Sequence, residues 1–231
     1  MCCSRVVNGI TSLPHPFAIF QLLPVIHPMS ATGSEEQAVR EAIRCFDAAN
    51  SADPNTVVID GSPVPYELFY ALRLTEWVQR LSANASSALL LAARCQHICR
   101  WMIPRSSYPM TRAGYLKWRT DLKQFHAQKS GEILMESGCS SELIARVQEL
   151  NLKKNLGHDD ELQILEDALC LVTLQYQLTD LVRKTEPTKM ISILQKTWKK
   201  MSARGRDEAL RLSYPDDLKS LLSQALAGGE S

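Results

Sequence analysis

From Glu35 onward, apolar residues return every three or four positions, the spacing of helices that each bury one face. Ala38, Ile43 and Phe46 share such a face, with Ser34 placed to cap its start. Three prolines and a glycine between Asn50 and Pro65 interrupt the pattern and predict a connector, extended over Val57 to Ile59. A helix is expected from about Pro65 to Leu81, offering Leu68, Leu72, Trp77, Val78 and Leu81 to a core. After a short turn, Ser86 to Trp101 reads as a second, strongly apolar helix. Pro104 and Pro109 enforce a loop over Ile103 to Thr111, and helix resumes near Ala113 and runs to about Ser137.

Gly138 closes that helix, and Ser140 or Ser141 caps the next, which ends near Lys154. Gly157 and His158 form a turn, with His158 facing solvent. Asp159 or Asp160 then caps a long helix to about Lys184. Pro187 opens another helix, with Ile191, Leu194 and Trp198 inward, and two short helices flank Tyr214-Pro215. No period-two alternation is sustained and no repeat appears. The expectation is an all-α fold: one compact multi-helix domain over residues 35–231, behind an N-terminal extension over residues 1–34.

A chain of 231 residues with 45% hydrophobic content can bury a sizeable core, and its net charge of +1 supplies no global field for nucleic acid or membrane. No apolar run reaches the roughly 18 to 20 residues that span a bilayer, so no membrane partner is expected. Seven cysteines are an odd number without disulfide-like spacing. Cys45, Cys95, Cys99 and Cys170 fall in helical segments and read as reduced core thiols, which points to a cytoplasmic setting. The first 34 residues hold no acid, one arginine and four prolines. Residues 1–28 are therefore open to a transit-peptide reading, mitochondrial or plastid, beside a functional start at Met29.

Charge clusters locally. Arg94 to Lys129 carries eight basic residues against the single acid Asp121, interleaved with Trp101, Tyr108, Tyr115, Trp118 and Phe125. Arginine forks suit phosphate and aromatic faces suit bases, so Arg94, Arg100, Trp101, Arg105, Tyr108, Arg112 and Arg119 are candidate ligands for a phosphorylated small molecule, a nucleotide or RNA. The structural alternative has these arginines stacked on aromatics and paired with acidic helices. A second basic stretch, Lys196 to Arg211, has six basic residues against Asp207 and Glu208.

Cys95 and Cys99 share one helix face and His97 the other, so with no second cysteine pair they do not make a structural zinc site. Glu166-Asp167 sits in an apolar helix and needs partners, because burying an unpaired carboxylate is costly. Arginines or a metal ion would serve. Lys200-Met-Ser-Ala-Arg204 looks like the signature loop of class I aminoacyl-tRNA synthetases, but the chain lacks the α/β nucleotide-binding domain which that chemistry requires.

Two resemblances follow from these residues. Leu91 to Arg100 with His97, the run His126-Ala-Gln-Lys-Ser-Gly-Glu-Ile-Leu134, and Leu165-Glu166-Asp167-Ala168 resemble, in order and texture, the ligand helices of HD-domain phosphohydrolases. Gln96-His97 stands where such a protein has His-Asp, and Tyr70 and Arg73 stand where its first histidine would be. The resemblance implies an HD-like helical arrangement and one divalent metal ion on His97, His126 and Asp167, with Glu76 or Glu166 as a fourth ligand. Ala93 to Pro109, Arg112 to Arg119, Leu165 to Val172 and Lys196 to Ser202 are very similar to the domain of unknown function 4202 family, which brings no activity.

The resulting expectation is a metal-dependent phosphohydrolase-like protein, with His97, Glu166 and Asp167 as catalytic residues and the arginines gripping phosphate. Its rivals are an RNA- or tRNA-binding protein without turnover and a helical interaction protein.

Overall fold

In a computed structural model, which describes residues 33–153 and 158–227, helices form where the apolar spacing places them. They are α1 (Gly33–Ser51), α2 (Tyr66–Leu81), α3 (Ser87–Cys95), α4 (Arg112–Glu136), α5 (Ser141–Leu152), α6 (Asp160–Val172), α7 (Leu178–Lys184), α8 (Pro187–Lys200), α9 (Ala203–Arg211) and α10 (Asp216–Ala227). Among the described residues the only sheet is a hairpin, β1 (Thr56–Ile59) and β2 (Ser62–Pro65), so the fold is all-α. The transit-peptide and Met29-start readings fall outside the described residues, as do Lys154 and Gly157. No helix among the described residues is long and apolar enough to cross a membrane.

Side-chain caps start most of the helices. Ser86, Thr111, Ser140, Asp159, Glu186 and Ser202 each accept a first-turn amide, satisfying donors that a helix leaves open. The N-cap of α2 is Pro65, which has no side chain able to do this. Asp53 substitutes from the preceding connector, its Oδ2 accepting the Glu67 amide at 3.0 Å while Oδ1 holds the Asn55 amide at 2.9 Å. That connector forms the hairpin because Asp60 and Gly61 both adopt positive φ, as the tight two-residue turn requires.

α3 is apolar on every side but one and accordingly lies in the centre, with α1, α2, α5 and α6 around it. Its one charge, Arg94, forks onto Asp47 of α1 at 2.6 and 2.8 Å. The helix expected to reach Trp101 stops at Cys95. Beyond it Cys99 takes a left-handed backbone (φ 50°), a conformation that costs a non-glycine residue roughly 1–2 kcal/mol. The Cys99 amide donates to the buried Asn50 Oδ1 at 3.1 Å, which offsets that cost, and a single 3₁₀ turn follows over Arg100–Met102. On α2 the buried face is Glu67, Tyr70, Ala71, Leu74, Thr75, Trp77, Val78 and Leu81. Leu68 and Leu72 are half-buried, because α2 packs against α3 and α6 along the Glu67–Leu74 line.

α6 is extended by a π-helical turn, Thr173–Gln177, into α7. Asp167 of α6, 3% exposed, is committed to the start of α9. It accepts the Ser202 amide at 2.9 Å and the Ser202 hydroxyl, which in turn caps Gly205, and Gln163 donates to it at 3.1 Å. A methyl group on Gly205 would lie 2.6 Å from the Asp167 Cγ, so this approach requires glycine. Asp167→Ala should destabilise the fold by about 2–4 kcal/mol in urea unfolding, since it strands the Ser202 donors, and Gly205→Ala should also lower stability. Wild-type unfolding midpoints in both variants would contradict this anchoring.

Candidate functional site

The break after α3 turns His97 and Arg100 out of the helical core and into a cleft of about 700 Å³. The start of α2 supplies Glu67 and Tyr70, the loop before α4 supplies Ile103 and Arg105, and α4 supplies Trp118 and Arg119. Lys153 comes from the left-handed C-cap of α5, Glu166 and Cys170 from α6, and Lys200 from the end of α8. Five cationic side chains, Arg100, Arg105, Arg119, Lys153 and Lys200, thus line the cleft against two carboxylates, Glu67 and Glu166.

His97 is the centre of one wall. Its ring stacks on Tyr70, with centroids 4.3 Å apart and planes 20° apart. Nε2 lies 3.3 Å from an Arg100 guanidinium nitrogen, which can only donate, so Nε2 accepts and the ring proton sits on Nδ1. Nδ1 faces the Glu67 carboxylate at 3.6 Å. Burial, with the Arg100 charge next, holds His97 well below the usual imidazole range, so the ring is neutral. Arg100 is braced from its other side by the Trp118 ring at 5.0 Å, and its Nε lies 4.0 Å from Glu67.

The opposite wall is electrostatic. Lys153 Nζ meets Glu166 at 2.6 Å and Lys200 Nζ at 3.5 Å. Burial raises the Glu166 carboxyl, but the two ammonium groups outweigh it and leave the group below the ordinary carboxylate range. Lys123 on α4 is shifted downward by burial and then by the Lys153 and Arg119 charges, showing how densely positive this end is. Cys170, also buried, has its thiol pushed up to about 12 and stands protonated.

His97, Glu166, Arg100, Trp101, Arg105 and Arg119 of the expected site residues therefore line one cleft. The others do not. Asp167 points to a different side of α6 and accepts hydrogen bonds from Ser202 and Gln163. Arg94 is locked to Asp47, Tyr108 donates to Asp121 at 2.8 Å, and Arg112 is exposed outside the cleft. His126 lies behind His97, ring centroids 5.8 Å apart, and its Nδ1 donates to the Ile98 carbonyl at 3.0 Å. The triad of His97, His126 and Asp167 is thus not assembled, and among the described residues no cluster of three or more His, Cys, Asp or Glu could hold a metal ion. The acidic pair of α6 is met by lysines, a serine and a glutamine rather than by arginines. Arg105 serves largely as a loop clamp, donating to the Tyr108 and Pro109 carbonyls at 3.0 and 2.8 Å. Of the second basic stretch, only Lys200 carries its charge into the cleft.

Glu67, Tyr70, Lys153 and Lys200 were not among the expected site residues. Glu67 had a legible signal: an acid on the same helical face as Tyr70, Ala71 and Leu74. Lys153 and Lys200 stand at the ends of their helices, and nothing in sequence spacing says where they reach.

Fold and site together define an all-α protein with a cationic, histidine-bearing cleft between its helices. Residues 40–222 match the model of the family described as Domain of unknown function (DUF4202), and the chain belongs to that family. No curated protein and no solved structure matches the chain.

The buried His126 makes stability depend on pH. Burial lowers His126 to about 4, below the unfolded value of about 6.5. A neutral buried ring contributes stability that is complete above pH 6.5 and lost as pH falls toward 4, up to about 3 kcal/mol on the 1.36 kcal/mol per unit scale. Urea unfolding between pH 7 and 4 should show that decline, and His126→Asn should flatten it. An unchanged slope in the variant would contradict the assignment.

Proposed function

We propose that the chain binds a phosphorylated small molecule in this cleft and hydrolyses its phosphate ester, with His97 as general base. One observation carries the reading: a neutral histidine, backed by Glu67, opens on a cleft in which cations outnumber carboxylates five to two. Arg100, Arg119, Lys153 and Lys200 would neutralise the phosphoryl oxygens, the usual route to stabilising a phosphoryl-transfer transition state. As Arg100 turns from His97 to the phosphate, Nε2 becomes free to take a proton from water. The water oxygen bonds to phosphorus, the ester P–O bond breaks, and the leaving oxygen takes its proton from solvent. Glu67 orients the ring through Nδ1 and stabilises the imidazolium formed.

A metal-assisted version on His97, His126 and Asp167 does not fit these residues, because Asp167 is spent on the α9 cap. A second reading, RNA held without turnover, draws support from the exposed α4 face that carries Arg112, Tyr115 and Arg119 beside the cleft. It expects salt-sensitive RNA binding that Tyr115→Ala weakens, with no phosphate released.

The test is phosphate release from a panel of phosphomonoesters, with and without added manganese. His97→Ala should lower kcat by at least about 100-fold, the lower range for a lost general base. Because His97 is held below the ordinary imidazole range, the acid limb of kcat/KM should lie below about pH 6.5. A protein that releases no phosphate from any ester under either condition, or a His97→Ala variant with wild-type turnover, would sink the proposal.

A further inference from the structure

The cleft does not end at its cationic wall. A second cavity of about 310 Å³ adjoins it, and Thr56, Tyr66, Tyr70, Arg100 and Gln177 line both. Its own lining differs in kind: Val57, Phe69, Val172, Tyr176 and Leu181 form an apolar, aromatic interior, with Asp180 and Lys184 the charges contributed beyond the shared residues. Phe69 and Tyr176 meet edge to face, centroids 5.3 Å apart and planes 86° apart, making a fixed aromatic corner. At the junction Gln177 donates its amide to the Tyr66 hydroxyl at 2.6 Å. Both groups can instead bond a polar ring edge.

The π-helical turn Thr173–Gln177 borders both compartments, presenting Thr173 and Gln177 to the large cleft and Tyr176 and Gln177 to the small one. Such single π turns inside α-helices interrupt regular bonding and concentrate at functional sites. The expanded turn lets one short segment serve two chemically different cavities. Arg100 stands in both, so a phosphate bound beside it lies next to the aromatic compartment.

We infer that the smaller cavity is a base-binding subsite and that the molecule the cleft takes is a nucleoside monophosphate, its phosphate on the Arg100 side and its base against Phe69 and Tyr176. This rests on the phosphate reading of the larger cleft. A sugar phosphate would leave the aromatic corner empty. An alkyl phosphate would fill it without using Gln177 or the Tyr66 hydroxyl.

Calorimetric titration of the full chain with adenosine 5′-monophosphate, cytidine 5′-monophosphate, ribose 5-phosphate and hexyl phosphate tests the assignment. At least one nucleotide should bind about tenfold or more tightly than ribose 5-phosphate and hexyl phosphate, the scale of one base–aromatic stack. Tyr176→Leu and Phe69→Leu keep bulk but remove a ring, and each folded variant should lose that advantage while its ribose 5-phosphate affinity stays at the wild-type level. Equal affinity for ribose 5-phosphate and both nucleotides in the wild-type protein overturns the subsite and leaves the phosphate reading standing, as does a nucleotide advantage that survives both variants. Hexyl phosphate binding as tightly as the nucleotides overturns the base assignment. If none of the four binds, the phosphate reading itself fails and the subsite falls with it.

Discussion

Two adjacent carboxylates on a helix that is buried around most of its circumference cannot be left bare, and the arrangement of this protein follows from how α6 satisfies them. Glu166 and Asp167 stand about 100° apart around the helix, so no single partner reaches both. Asp167 takes the Ser202 amide and hydroxyl, which fixes where α9 begins. Gln163 links the two solutions, donating both to Asp167 and to the Lys200 carbonyl at 2.9 Å. The end of α8 is thereby held where the Lys200 ammonium reaches Glu166, while Lys153 reaches it from the end of α5. The positive end of the cleft is thus a consequence of burying an acid pair. Two lysines on one carboxylate leave an excess of charge that an anionic ligand can use.

The other wall depends on an interruption. Had α3 continued, His97 would have stayed in a regular helix within the core layer. The left-handed Cys99, held by Asn50 from α1, ends the helix and delivers His97 and Arg100 to the cleft. Asp53, three residues beyond Asn50, sets the start of α2 and with it Glu67. The last turn of α1 and the connector after it therefore position both members of the His97–Glu67 pair. Burial and the Arg100 charge then keep the ring neutral, while Tyr70 stacks on its face.

Most of the fold was legible in the sequence, because helix spacing and caps are local signals. The helices from α1 to α10 lie close to where the apolar period places them, and Ser140, Asp159 and Pro187 mark starts as expected. The hairpin was only half visible: Asp60-Gly61 is a strong turn signal, but strands of four residues carry too little alternation. The end of α3 was misplaced because its determinant, Asn50, is distant in sequence. For the site, the histidine, the basic cluster and the acidic pair were all identifiable as chemistry. Which of two neighbouring acids faces the cleft depends on helix rotation, and which arginines are spent on Asp47 or on loop carbonyls depends on tertiary contacts. Both lie beyond what spacing encodes.

Whether the cations around His97 and Glu166 form a phosphate site is decided by titrating inorganic pyrophosphate into the purified chain, followed by calorimetry at low and moderate salt. Saturable binding at one site is expected, weakening as salt rises and weakening further in Lys153→Met and Arg119→Ala, while Arg211→Ala, outside the cleft, leaves it unchanged. Binding that is absent at low salt, or that Arg211→Ala reduces as much as Lys153→Met does, would contradict it.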